Sequence, residues 1–259
     1  MRADLFTNKF APNQFYGAAL ANGNYENAFT INKFGANPVA ATGDDLWDNG
    51  TALLYGTTAE AIEVISDDVN DIVGTAGTGA TEITVQGLDA NYDRQTVSGI
   101  ALNGTTAVAI SSTWIRVFRA WVTAAGSSGA NEGTLTIRVA SAGATRALIS
   151  PLKNQSLMAA YTIPKDYTGF LQRWRCKAAK NVGAAIEVTH SLRFRPLGEV
   201  FQVKQQEEIA SIGVWTDTKF DLPLVIPAKA DVKMTLDVVS AVAVVSGSFD
   251  LLCVRTATT

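Results

Sequence analysis

His190 is the single histidine of the chain, and it lies in a run where Ile186, Val188, His190, Leu192 and Phe194 alternate with Glu187, Thr189, Ser191, Arg193 and Arg195. Alternation of period two puts His190 on the apolar face of a strand. One histidine excludes zinc sites that need two or three, and Cys176 and Cys253 lack the short spacing that zinc ribbons use. A Ser-His-Asp triad is equally poorly served, because Gly126-Ser127-Ser128-Gly129 falls short of the Gly-x-Ser-x-Gly turn that presents a nucleophile. His190 is therefore expected in a core or an interface, and both cysteines as buried reduced thiols.

Two acidic clusters, Asp44, Asp45, Asp48 and Asp67, Asp68, Asp71, carry oxygens suited to Ca²⁺, but neither has EF-hand spacing or a closing glutamate. Solvated loop carboxylates are expected. Gly74-Thr75-Ala76-Gly77-Thr78-Gly79 lacks the following Lys-Ser/Thr of a phosphate loop and runs into a strand-like segment instead of a helix. Trp114, Trp121, Trp174 and Trp215 offer platforms for pyranose rings, although apolar neighbours on both sides make core packing the expectation for most of them. A glycosidase needs two carboxylates on different strands, and those leave no local spacing to read. In Trp114-Ile115-Arg116-Val117-Phe118-Arg119, the two arginines fall on opposite faces, so one must meet something buried or aromatic. Arg173, Arg175 and Lys177 alternate along one strand, as do Arg193 and Arg195 on the next; if those strands pair, the basic ladder needs acids or a partner.

The elements that must hold these residues are β-strands. The chain has 259 residues, 47% of them hydrophobic and 17% charged, with 21 Lys plus Arg against 24 Asp plus Glu. A mean hydropathy of +0.12 is too apolar for a disordered chain, and a chain of this length buries roughly 70% of its surface without staples. Neither sign of charge forms a block, so no nucleic-acid or anionic-lipid partner is expected. The first seventeen residues are too polar for a signal peptide and no run spans a bilayer, which implies synthesis in a cytoplasm and no membrane partner.

From Ile62 onward, runs rich in Val, Ile, Thr and aromatics are broken by Gly, Asn, Asp and Pro about every ten residues, which is the all-β signature. The expected fold is an antiparallel β-sandwich, jelly-roll-like, as one composite or as two lobes over residues 51–150 and 151–259. Ile62 to Ser66 is expected to be a strand despite helix-like spacing through Val69 and Ile72, because Ser66-Asp67-Asp68 and Asn70-Asp71 are poor helix formers. Asn103-Gly104 is expected to close a two-residue hairpin. Residues 1–50, rich in Asn, Gly and Ala with no sustained period, read as an extended arm. Its anchors are Phe6, Phe10, Phe15, Tyr16, Phe29, Phe34 and Trp47, the candidate contacts with a particle or another copy.

Several phrases form an ordered series: Ile31-Asn32-Lys33-Phe34-Gly35-Ala36-Asn37-Pro38, Leu46-Trp47-Asp48-Asn49-Gly50, Thr84-Val85-Gln86-Gly87-Leu88-Asp89, Leu102-Asn103-Gly104-Thr105-Thr106, Arg193-Phe194-Arg195-Pro196-Leu197-Gly198-Glu199-Val200-Phe201 and Ile226-Pro227-Ala228-Lys229. The series resembles a group of small virion structural proteins of tailed bacteriophages, notably marine and cyanobacterial ones. That resemblance implies a non-enzymatic particle component without cofactor, present in many copies. The expected roles are capsid decoration (cement) or a short head fibre held by the N-terminal arm; a neck, tail or fibre accessory binding host surface glycans is the alternative. Expected partners are further copies of itself, as a trimer, and virion proteins such as the major capsid protein.

Overall fold

Alternating apolar and polar residues build fifteen strands in the computed structural model, which describes residues 25–74, 77–179, 186–210 and 214–256. β1 (Ala28–Ala40) is followed by β2 (Glu60–Ser66), β3 (Ala80–Leu88), β4 (Arg94–Ala101), β5 (Val108–Trp114), β6 (Arg116–Ala125), β7 (Leu135–Val139) and β8 (Thr145–Ile149). Then come β9 (Ala160–Thr162), β10 (Tyr167–Ala179), β11 (Val188–Arg195), β12 (Gln202–Ile209), β13 (Trp215–Ile226), β14 (Asp231–Val239) and β15 (Ala243–Arg255). Among the described residues no helix is long and apolar enough to cross a membrane.

The strands form two sandwiches. One packs the sheet β1-β15-β10-β13 against β12-β11-β14-β9, around a core that includes Trp174, Phe249, Leu192 and Met234. Its first strand pairs with its last, β9 with β14, β10 with β13 and β11 with β12, all antiparallel. That nested pairing is a hairpin rolled on itself, the jelly-roll order. The other sandwich packs β5-β2-β7-β8 against β4-β3-β6 around Trp47, Ile62, Val64, Ile83, Trp114 and Leu135. It is inserted between the first two strands of the jelly roll.

The extended arm over residues 1–50 does not hold from Ala28 on. Residues 28–40 are an edge strand of the jelly roll, and Leu46 and Trp47 are core residues. Residues 1–24, with the expected anchors Phe6, Phe10, Phe15 and Tyr16, lie outside the described residues. The boundary at 150 also moves, because Asn154 and Ser156 bond to Val122 and Ala120 of the inserted sandwich through backbone hydrogen bonds of 2.8 Å.

Asn103-Gly104 turns the chain but closes no hairpin, since β4 pairs with β3 and β5 with β2. Gly104 alone takes a positive φ, 56°, and the turn carries the chain from one sheet to the other. β2 and its following loop are as the sequence reading had them. Trp114 and Arg116, expected in one strand, end β5 and start β6 in opposite sheets. In β13, Phe220 to Pro223 bulge opposite Gln172, between the pairs Arg173 with Lys219 and Leu171 with Leu224. The bulge, Asp221 and Pro223 blunt an otherwise long free edge.

Candidate functional site

Of the expected contact residues within the described part, only Phe34 faces solvent, with 45% of its surface exposed. Phe29 packs edge-on against Tyr167 at 5.0 Å, and the Arg94 guanidinium stacks 4.2 Å above its ring. Trp47 is 2% exposed and its indole N–H donates to the Thr51 carbonyl at 2.6 Å. Trp47 as a particle contact is thus corrected: polar neighbours in sequence conceal a residue that the inserted sandwich needs for its core.

Phe34 belongs to the outer face of the sheet β1-β15-β10-β13. The register sets Phe34 beside Ser248, Ser248 beside Arg175 and Arg175 beside Asp217. The next row runs Ala36, Ser246, Lys177 and Trp215. Small residues floor a shallow trough of about 360 Å³, with Phe34 on one flank and Trp215 on the other. Trp215 is 63% exposed, whereas Trp114 and Trp174 are buried. Arg173 forms a two-pronged ion pair with Asp217, and Arg175 reaches Asp250 at 3.3 Å. Arg193 pairs with Asp237 and Arg195 with Asp231. The four arginines of the ladder therefore meet acids, whereas Lys177 lies between Ser246 and Trp215; β10 and β11 lie in opposite sheets and do not pair.

The groups singled out for chemistry serve the fold. Asp71 is buried; its oxygens accept from the Ala80, Glu132 and Gly133 amides and from the Ser66 hydroxyl at 2.7–2.9 Å. Asp45 accepts from Lys233 and Thr235 at 2.7 Å and from the Leu53 amide at 2.6 Å. A carboxylate saturated by such donors organises its loop and has little left for a metal. Among the described residues no group of His, Cys, Asp or Glu is arranged to hold one. The glycine-rich loop leads into β3, as expected; Thr75 and Ala76 lie outside the described residues.

His190 is fully buried, its ring 4.8 Å from Trp174, with Nε2 3.0 Å from the Thr216 hydroxyl. Burial pushes its pKa down to about 4 against the smaller pull of Glu207 and Asp237. The unfolded chain takes up this proton near pH 6.5 and the native protein only near 4, so stability falls as pH drops through that window. The loss amounts to about 3 kcal/mol when complete. Urea midpoints at pH 7 and pH 4 should reveal it: the stability difference between wild type and His190→Gln shifts by that amount. An unchanged difference contradicts the assignment. Asp48, raised to about 6 chiefly by burial, works in the opposite sense but is common to both proteins.

Burial likewise pushes the Cys176 and Cys253 thiols up to about 12. The thiolate is the reactive form, so neither should react with maleimide in the native protein at pH 7, and both should react in denaturant. Rapid native labelling of either one would contradict their burial.

The densest polar constellation joins the two sandwiches. Asp231, at the start of β14, accepts from Arg116 of β6 at 2.8 and 3.0 Å, from Arg195 of β11 and from the Thr162 hydroxyl at 2.6 Å. Arg116 also donates to the Gly56 and Ile115 carbonyls at 2.8 and 2.7 Å. The Tyr55 ring lies against both arginines, 5.0 and 4.6 Å from their guanidinium carbons, and Phe201 covers Arg195 and Lys233 at 4.5 Å each. Two arginines share one carboxylate, and the knot works as a clamp at the base of a cavity of about 340 Å³ that Tyr55, Tyr92, Leu197 and Glu199 also line. Its partners stand far apart in sequence, so no local spacing announces it.

No protein-family model and no curated protein matches the chain. Among solved structures it is similar to the tandem CBM22-1-CBM22-2 domain of Paenibacillus barcinonensis Xyn10C, at 10% identity and a TM-score of 0.25, over 90% of this chain and 94% of that one. It is also similar to the infectious bursal disease virus Gx strain structure, at 8% identity and a TM-score of 0.20, over 90% and 77%. At such TM-scores these likenesses carry no argument; the all-β, jelly-roll-containing architecture rests on the strand order itself.

Proposed function

We propose that the chain is a non-enzymatic structural component of a tailed-bacteriophage particle, an exterior capsid decoration or short head-fibre protein attached through its N-terminal segment and present in several copies. The observation that carries this reading is where the polar groups are used: the buried charges clamp one sandwich to the other, and the acidic clusters saturate loop amides. The resemblance of the motif series to that of small virion proteins supports it, as does the suitability of jelly rolls for particles built by repeated contacts. β1, the described strand nearest the N-terminus, is an edge of the sheet that exposes Phe34 and Trp215.

The test is assembly. A chain lacking residues 1–24 should remain folded and fail to join particles; normal incorporation would overturn attachment through this segment. The second reading, a neck or tail accessory that binds host surface glycans, is favoured by one feature, the exposed Trp215 beside Lys177 on a small-residue floor. Under that reading Trp215→Ala abolishes adsorption to host cells while particles still assemble.

A further inference from the structure

Lys33 is a charged residue of β1 on the inward side, 8% exposed, and no carboxylate among the described residues pairs with it. Its ammonium donates to the Phe118 carbonyl and lies 5.9 Å from the Phe118 ring centre. Beside it is Arg119, whose guanidinium stacks 4.7 Å over Trp121 and likewise has no acid partner among the described residues. Both line a cavity of about 250 Å³ where the jelly roll meets the inserted sandwich. Other parts of its wall are Gln86, Gln155, Ser156 and Phe34. The Ser156 oxygen accepts from the Ala120 amide at 3.0 Å, which leaves its hydroxyl proton to donate.

A buried cation facing a second cation is an uncompensated cost in the empty protein. Burial first, and Arg119 second, bring the Lys33 amine down to about 7. An anion entering the cavity removes that cost. The volume corresponds to roughly eight waters at about 30 Å³ each, far more than a halide or an acetate fills. It suits a single pyranose ring. Amides and a hydroxyl along the wall match sugar hydroxyls, and Ile31 and Leu157 give the wall an apolar part.

We propose that this cavity binds an acidic sugar residue, with its carboxylate held by Lys33 and Arg119 and its hydroxyls by Gln86, Gln155 and Ser156. The site does not depend on where the chain sits on a particle, so it stands or falls apart from the particle assignment.

Titration calorimetry on the full chain tests it, using glucuronic acid and a short oligogalacturonate, with glucose and inorganic phosphate as controls. Glucuronate should bind at least tenfold more tightly than glucose. Lys33→Met should weaken it by tenfold or more, and Arg119→Gln or Gln155→Ala should weaken it by smaller factors. If Lys33→Met does not fold, Arg119→Gln decides. Equal affinity for glucose and glucuronate, binding of phosphate without glucuronate, or glucuronate binding that survives both substitutions would overturn the proposal.

Discussion

A chain that begins at residue 51 is expected not to fold, whereas one that begins at Tyr25 is expected to keep the native circular dichroism, tryptophan emission and cooperative melting of the full protein. The shorter chain loses β1, which pairs with β15 along nearly its whole length. It also loses Leu46, Trp47 and the Asp45 carboxylate that holds Lys233 and Thr235. Truncating a buried tryptophan alone costs roughly 3–5 kcal/mol. Against a total stability of about 5–15 kcal/mol, a strand, two large core side chains and a buried counter-ion are more than the protein can lose. Removing residues 1–24 leaves these contacts intact, including the Asn27 carbonyl that accepts from the Arg255 amide at 2.7 Å. A cooperatively folded chain starting at residue 51 would show that β1 is dispensable and would restore the arm reading for residues 28–50.

Asp231→Ala is expected to be the most damaging single substitution at the junction. It leaves Arg116, 8% exposed at its side chain, and Arg195 without their shared carboxylate. Stranding a buried partner costs about 3–5 kcal/mol, which for a protein of this size lowers Tm by on the order of 10 °C. Because Arg116 comes from the inserted sandwich and Asp231 from the jelly roll, the loss should also separate their melting. Scanning calorimetry is expected to show one transition in wild type and a broadened or split one in the variant. A variant with the wild-type Tm and a single sharp transition would mean that the clamp contributes nothing.

Most strands from Glu60 to Arg255 were legible because they carry their own alternation and are bounded by turn residues. β1 was not, for a reason visible along its length: the inward positions 33, 35 and 37 hold Lys, Gly and Asn, while Phe34 points out. Position 35 takes glycine because a Cβ there would overlap the Leu46 carbonyl and the Ala159 amide. An edge strand that packs so closely inverts the usual pattern and looks like an arm. Asn103-Gly104 misled in the other direction, since a turn dipeptide specifies a reversal but not which sheet the next strand joins. Asp221 and Pro223 interrupt the strand pattern of their run without ending it, because Phe220 to Pro223 form a bulge within one strand. The clamp and the Lys33 cavity were illegible for a common cause. Arg116 and Asp231 are 115 residues apart, Lys33 and Phe118 are 85 apart, and only the insertion of one sandwich into the other brings them together.

The measurement closest to the central claim is a cryo-EM map of the intact particle that contains this chain. The account predicts density for a jelly roll with its inserted sandwich repeated over the capsid exterior, with the segment before Tyr25 running onto a neighbouring subunit. Density for the chain at the neck or tail alone, with none over the capsid, would contradict it.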